Sequence, residues 1–237
     1  MLHAKRVISE VAQKTDRILL FHSGSGKDSI ALLDLCAPYF KEIVCVYMYV
    51  VKDLEHINRY IQWSQNNYKN VKFIQVPHYS LSSYVKHGVL GCKKNEKQPY
   101  VTLSQIGDIC RKRLGIDWLF LGFKQTDSLN RRCMLRTYEE EAICEKTKKV
   151  YPLSKYRNID ILHYIEEQNL MRPEHYGKGQ SAGTAITDVD YLKWLKENFP
   201  QDLKKVLAVF PMAEHILFQY EKQREHEKLE NVRDEND

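Results

Sequence analysis

The chain has 237 residues, 43% hydrophobic and 28% charged, with a formal net charge of +5. That length suits one α/β domain with a substantial core. No apolar run could span a membrane, and Met1-Leu2-His3-Ala4-Lys5-Arg6 lacks the apolar stretch of a signal peptide, so a cytoplasmic protein without membrane partners is expected.

Residues 17–22 read as a short buried strand, followed by the turn Ser23-Gly24-Ser25-Gly26-Lys27-Asp28-Ser29 and by an apolar helix over 30–35 that stops before Pro38. Residues 42–51 form a strong strand. Residues 53–67 form a helix with Leu54, Ile57 and Ile61 on one face, and 71–76 a third strand closed by Pro77. Residues 80–98 are polar, basic and weakly periodic, which predicts a mobile loop beside a ligand. A helix over 102–114, a strand over 117–122, a polar loop over 122–132 and helices over 158–169, 190–198 and 203–224 complete the pattern. The alternation predicts an α/β, Rossmann-like, mostly parallel five-stranded sheet with helices on both faces and a helical C-terminal portion. Residues 1–219 are read as the domain and 220–237 as a charged helix or tail. The tail carries −3, which leaves +8 on residues 1–219, a balance suited to nucleotides, sulfonucleotides or nucleic acid.

A strand, a Ser/Gly turn and a helix start build an anion site. Glycine lets the backbone bend close to a ligand, outward N–H groups cluster, and the helix dipole favours negative charge. Ser23, Ser25 and Ser29 add hydroxyls, Lys27 a cation, and Asp28 a metal ligand or a helix cap. A Walker A loop does not fit, because Phe21 stands where its first glycine belongs and Asp28 where Ser or Thr belongs. A dinucleotide fingerprint matches Gly24 and Gly26 but meets Ser29 at its third glycine. After the 117–122 strand, Gly122 leads into Lys124, Asp127, Ser128, Arg131 and Arg132, which would share a crevice with the first loop at the carboxyl ends of the strands.

The first loop resembles the PP-loop of the ATP pyrophosphatase superfamily, whose usual form is S-G-G-x-D-S; here Ser25 stands in for a glycine. Gly122, Lys124, Asp127, Ser128 and Arg131 follow in order the G-x-R-x-x-[DE]-S-x-x-R pattern of the phosphoadenylyl-sulfate reductase-like branch, with Lys124 for its arginine. Pro152-Leu153 through Tyr164-Ile165 is similar to that branch's P-L-x-x-W segment, with Tyr156 for the Trp, and residues 172–183 resemble its Ser/Gly-containing loop.

This resemblance implies an adenine nucleotide, ATP or phosphoadenylyl sulfate, as ligand. It implies Ser23, Gly24, Ser25, Gly26, Lys27 and Ser29 on the phosphates, with Gly122, Asp127 and Ser128 shaping the second loop. Asp28 would hold Mg²⁺, Lys124 and Arg131 would stabilise the transferring group, and Tyr47 and Met48 would lie near the adenine. The activity implied is transfer of an adenylyl group from ATP to an acceptor, a nucleic acid being one candidate and a homodimer or partner protein an accompaniment. The C-terminal cysteine of true sulfonucleotide reductases is missing, since Cys144 is the last of six cysteines. Cys92 and Cys110, near basic residues, are the remaining thiols to consider. Reductase or sulfotransferase chemistry would thus need a non-standard thiol, and a nucleotide-binding regulatory protein is the third reading. The cysteine spacing predicts neither zinc nor an iron–sulfur cluster.

Overall fold

The computed structural model describes residues 1–174 and 186–234, with side chains through residue 224. Helix α1 (Leu2–Ala12) precedes β1 (Arg17–Phe21), α2 (Lys27–Cys36), β2 (Glu42–Tyr49), α3 (Glu55–Asn67) and β3 (Val71–Pro77). Next come α4 (Tyr79–His87), α5 (Leu103–Leu114), β4 (Leu119–Phe120), α6 (Leu129–Arg136), β5 (Ile143–Cys144) and β6 (Lys149–Val150). The helices α7 (Asn158–Glu167), α8 (Val189–Asn198), α9 (Pro200–Val209) and α10 (Ala213–Asp234) end the chain.

The strands form one sheet in the order β3-β2-β1-β4-β6-β5, parallel except for the β5–β6 pair. Alternation along each strand divides the core. Ile18, Leu20, Ile43, Cys45 and Phe120 face α1, α2 and α7, whereas Leu19, Phe21, Val44, Val46 and Leu119 face α5 and α6. Runs apolar on both faces are what a covered parallel sheet requires. The expected mostly parallel α/β sheet is therefore present. It has six strands rather than five, and β5 and β6, two residues each, are too short to announce themselves by periodicity.

Three expectations are corrected. Residues 80–98 are not one long loop, because α4 occupies their first part, capped by the His78 ring on Ser80 N–H and ended by Gly88 at φ +65°. The 122–132 stretch holds the start of α6, whose cap is the Ser128 hydroxyl, which accepts the Arg131 N–H at 3.2 Å. The 203–224 helix is two, broken at Phe210 and Pro211. Helix α1 was unforeseen, although Ala4, Val7, Ile8 and Val11 are spaced for one face and are fully buried.

A second core joins α3 to α8, α9 and α10. At its centre the buried Asp202 carboxylate accepts the Glu55 and His56 N–H groups at 2.8 and 3.0 Å, and lies 2.7 Å from His56 Nδ1. A side chain from α9 thereby caps α3, satisfying amides that a helix start leaves unpaired.

Candidate nucleotide-binding cleft

The sheet order reverses between β1 and β4, so the loops that follow these two strands diverge around one crevice, the usual ligand position in open α/β sheets. A cavity of about 910 Å³ opens there. Of the sequence-nominated residues, Ser23, Ser25, Gly26, Lys27, Asp28, Ser29, Tyr47, Met48, Gly122, Lys124, Asp127 and Arg131 line it. Gly24, Ser128 and Arg132 do not.

The loop after β1 is internally braced. Ser29 Oγ donates to Gly26 C=O at 2.9 Å, accepts the Ser23 N–H at 3.2 Å and lies 3.0 Å from Ser23 Oγ. Gly24 bends the chain at φ +77° with its N–H on His22 Nδ1 at 3.1 Å. Burial drives the His22 imidazole down to about 3, so the ring is neutral and free to accept that bond. A Cβ at Gly26 would fall 2.2 Å from Ser23 Oγ, so any other residue there would displace that hydroxyl from Ser29 Oγ. These bonds consume the Ser23 and Gly24 amides, and the Ser29 N–H donates to Gly26 C=O at 3.1 Å. The Ser25, Gly26, Lys27 and Asp28 N–H groups have no partner among the described residues. They stand at the start of α2, where the helix dipole adds to their attraction for an anion.

Opposite them, Lys124 is buried, its side chain 2% exposed, with Nζ 2.8 Å from Asp28 Oδ1 and 3.1 Å from Asp127 Oδ1. Lys27 Nζ is 3.1 Å from Asp28 Oδ2, and Arg131 donates to Asp127 Oδ2 at 2.6 Å while lying over the Phe123 ring at 3.8 Å. Burial alone would raise the Asp127 carboxyl, but the Lys124 amide and ammonium and the Arg131 guanidinium outweigh it and hold the group below its ordinary value. Gly122 permits the close approach of the two loops, since a Cβ there would meet that of Asp28 at 3.1 Å. The result is a chain of alternating charges, Lys27–Asp28–Lys124–Asp127–Arg131, running along the crevice.

Tyr47 and Met48 form part of the wall at the end of β2, and burial, with the Asp202 charge behind it, pushes the Tyr47 hydroxyl upward. The wall also includes His78, Tyr79 and Ser80 at the start of α4, Tyr84 within it, Leu103, and Glu174. Ser80 and Tyr84 belong to the 80–98 segment expected beside a ligand and Glu174 to the 172–183 segment, whereas sequence reasoning missed His78, Tyr79 and Leu103. The signal for the first of these was available: His78 follows β3 directly, at a strand's carboxyl end. The Ser/Gly segment over 175–183 lies outside the described residues.

Among the described residues no three His, Cys, Asp or Glu side chains converge to hold a metal ion, and no helix is long and apolar enough to cross a membrane. None of the six cysteines lines the cleft. Cys36 and Cys45 are core residues, Cys92 and Cys110 are buried with their thiols pushed upward by burial, and Cys133 is exposed on α6.

The phosphoadenosine phosphosulfate reductase domain model matches residues 18–214. No curated protein sequence matches significantly. Among solved structures, the chain is similar to the U34-tRNA thiolase NcsA from Methanococcus maripaludis with its [4Fe-4S] cluster, at 17% identity and TM-score 0.44, covering 90% of this chain and 77% of that one. It is also similar to phosphoadenylyl-sulfate reductase from Candida auris in a phosphate complex, at 15% identity and TM-score 0.44, over 76% and 88% of the two chains. NH3-dependent NAD synthetase from Campylobacter jejuni matches at 16% identity and TM-score 0.43, over 92% and 93%.

Proposed function

Since the chain belongs to the phosphoadenosine phosphosulfate reductase domain family, we propose that its cleft binds an adenine nucleotide and that the protein cleaves ATP between the α and β phosphates, adenylating an acceptor oxygen. The observation that carries this reading is the convergence of four amides at the start of α2, without partners among the described residues, with Lys27, Lys124 and Arg131 across one crevice. In the proposed step the acceptor oxygen bonds to the α phosphorus. The bond from that phosphorus to the bridging oxygen breaks, pyrophosphate leaves with the electron pair, and the acceptor's proton passes to solvent.

The chain's part is positioning and neutralisation, which supply most of the catalysis in phosphoryl and nucleotidyl transfer. The amides of residues 25–28 and Lys27 hold the leaving pyrophosphate. Arg131 meets the developing charge, and Lys124 keeps Asp28 and Asp127 in place between the loops. Tyr47 and Met48 flank the base. Asp28 fits Mg²⁺: it faces the cleft, and a single carboxylate with substrate phosphates is a usual magnesium donor set once the flexible Lys27 ammonium turns to the phosphates. Bound there, the ion would supply further charge neutralisation on the phosphates.

Radiolabelled turnover tests the reading. ATP should give AMP and pyrophosphate once an acceptor is present, and phosphoadenylyl sulfate with thiol reductants should give no sulfite, because no cysteine of the chain lines the cleft. Sulfite release lost on changing one cysteine would replace this reading with the reductase one. Tight nucleotide binding with neither reaction would leave a regulatory binder.

A further inference from the structure

Resting on the proposed adenylation, we propose that the acceptor is a single-stranded polynucleotide seated on the α4–α5 segment beside the cleft. Single-strand surfaces combine cations that follow the backbone with exposed aromatic faces on which bases stack, and this segment has both. Lys93, Lys97 and Arg113 are exposed and have no carboxylate partner among the described residues, whereas Lys94 is offset by Glu96. Tyr100 is 55% exposed, yet its ring is held in place: His87 Nε2 lies 2.8 Å from its hydroxyl and the Lys86 ammonium 4.5 Å from its ring centre. Tyr79, 37% exposed, lies against the His78 ring at 4.2 Å and lines the nucleotide cleft itself. A fixed, solvent-facing aromatic ring loses little entropy on stacking.

Between α4 and α5 lies a second cavity, of about 300 Å³, large enough for one base. Its walls are aliphatic, from Leu81, Val85, Val101 and Ile106, and its polar groups include Gln98 and Arg113. That combination suits a flat heterocycle with a hydrogen-bonding edge. His78 belongs to the walls of both cavities, so a strand held here passes directly to the cleft where the adenylyl group would be transferred.

The test is fluorescence anisotropy with labelled 12-nucleotide RNA and DNA single strands across a salt series. Binding should weaken with salt. Lys93→Glu with Lys97→Glu should weaken it at least about tenfold and flatten the salt slope. Tyr100→Ala should weaken it about tenfold with the slope unchanged, because stacking releases no counterions. The RNA and DNA arms identify which polymer is preferred. A duplex or inorganic polyphosphate binding as tightly as the single strand, or Tyr100→Ala without effect, would overturn the proposal, as would no binding at low salt. All three positions are exposed and outside the cleft, so ATP affinity measured on the same variants should not change. Loss of ATP binding in the wild-type protein would sink the adenylation reading while leaving the oligonucleotide result to be judged separately.

Discussion

Lys124→Met keeps the length of a buried side chain and deletes its ammonium. In the wild-type protein that ammonium lies 2.8 Å from Asp28 Oδ1 and 3.1 Å from Asp127 Oδ1. Removing one member of a buried ion pair costs about 3–5 kcal/mol, because the remaining charge is left buried and uncompensated. Here both carboxylates keep a second cation, Lys27 at 3.1 Å on Asp28 and Arg131 at 2.6 Å on Asp127, and both are partly solvated. The expected loss is therefore about 2–3 kcal/mol at pH 7. Its pH dependence has a definite sign. Asp127 is held below its ordinary value, the Lys124 amide and ammonium and Arg131 overcoming the effect of burial. A carboxyl lowered on folding contributes stability that is fully present above the unfolded value, about 3.9, and is lost as pH falls through the folded one. The variant forfeits the ammonium's share of that contribution, so the gap between the two proteins should be widest at neutral pH and narrow below about pH 4. Urea unfolding followed by tryptophan fluorescence at pH 7, 5 and 3.5 measures it. A loss under about 1 kcal/mol at pH 7, or a gap that does not change with pH, would refute the claim that charge holds Lys124 between the loops.

Arg131→Ala should weaken ATP binding by about 1.5–3 kcal/mol in a calorimetric titration and AMP binding by less, since a single phosphate does not span the crevice; equal losses would place Arg131 away from the distal phosphates. Gly24→Ala should lower stability by about 1–2 kcal/mol, because the residue sits at φ +77° with Ile57 Cγ2 3.0 Å from the added methyl, and an unchanged urea midpoint would contradict that backbone geometry. Asp202→Ala should cost about 3 kcal/mol by uncapping α3 and stranding the buried His56, lowering the melting temperature by roughly 6–12 °C, with Asp202→Asn retaining part of the stability. In thiol labelling Cys133 should react at once and Cys36 and Cys45 only in urea; fast modification of either core thiol would contradict their placement.

Much of the cleft was legible in the sequence because its chemistry is local. A Ser/Gly turn between an apolar strand and an apolar helix can be read from adjacent residues, and the carboxyl-end rule then brings the Gly122–Arg131 loop opposite it. The same holds for α5, whose Thr102 and Gln105 form a reciprocal cap and whose end is Gly115 at φ +63°. Short elements hid where polar surface masked a weak period. Helix α4 buries only Ser82 fully, and α6 only Leu135, so neither carries an apolar stripe long enough to register.

What the tertiary structure alone decided are the contacts between residues remote in the chain. Asp202 caps α3 from 146 residues beyond His56, and Asp34 accepts the hydroxyls of Tyr68 and Tyr164, one on each carboxylate oxygen. Lys124, which by composition would be a solvated cation facing a phosphate, is instead enclosed by two carboxylates from different loops. Likewise, two cysteines beside basic residues in sequence, Cys92 and Cys110, are buried and do not line the cleft. Periodicity and turn chemistry report what neighbouring residues prefer. Which charges end up sharing a desolvated space depends on how the strands close into a sheet, and no local preference encodes that.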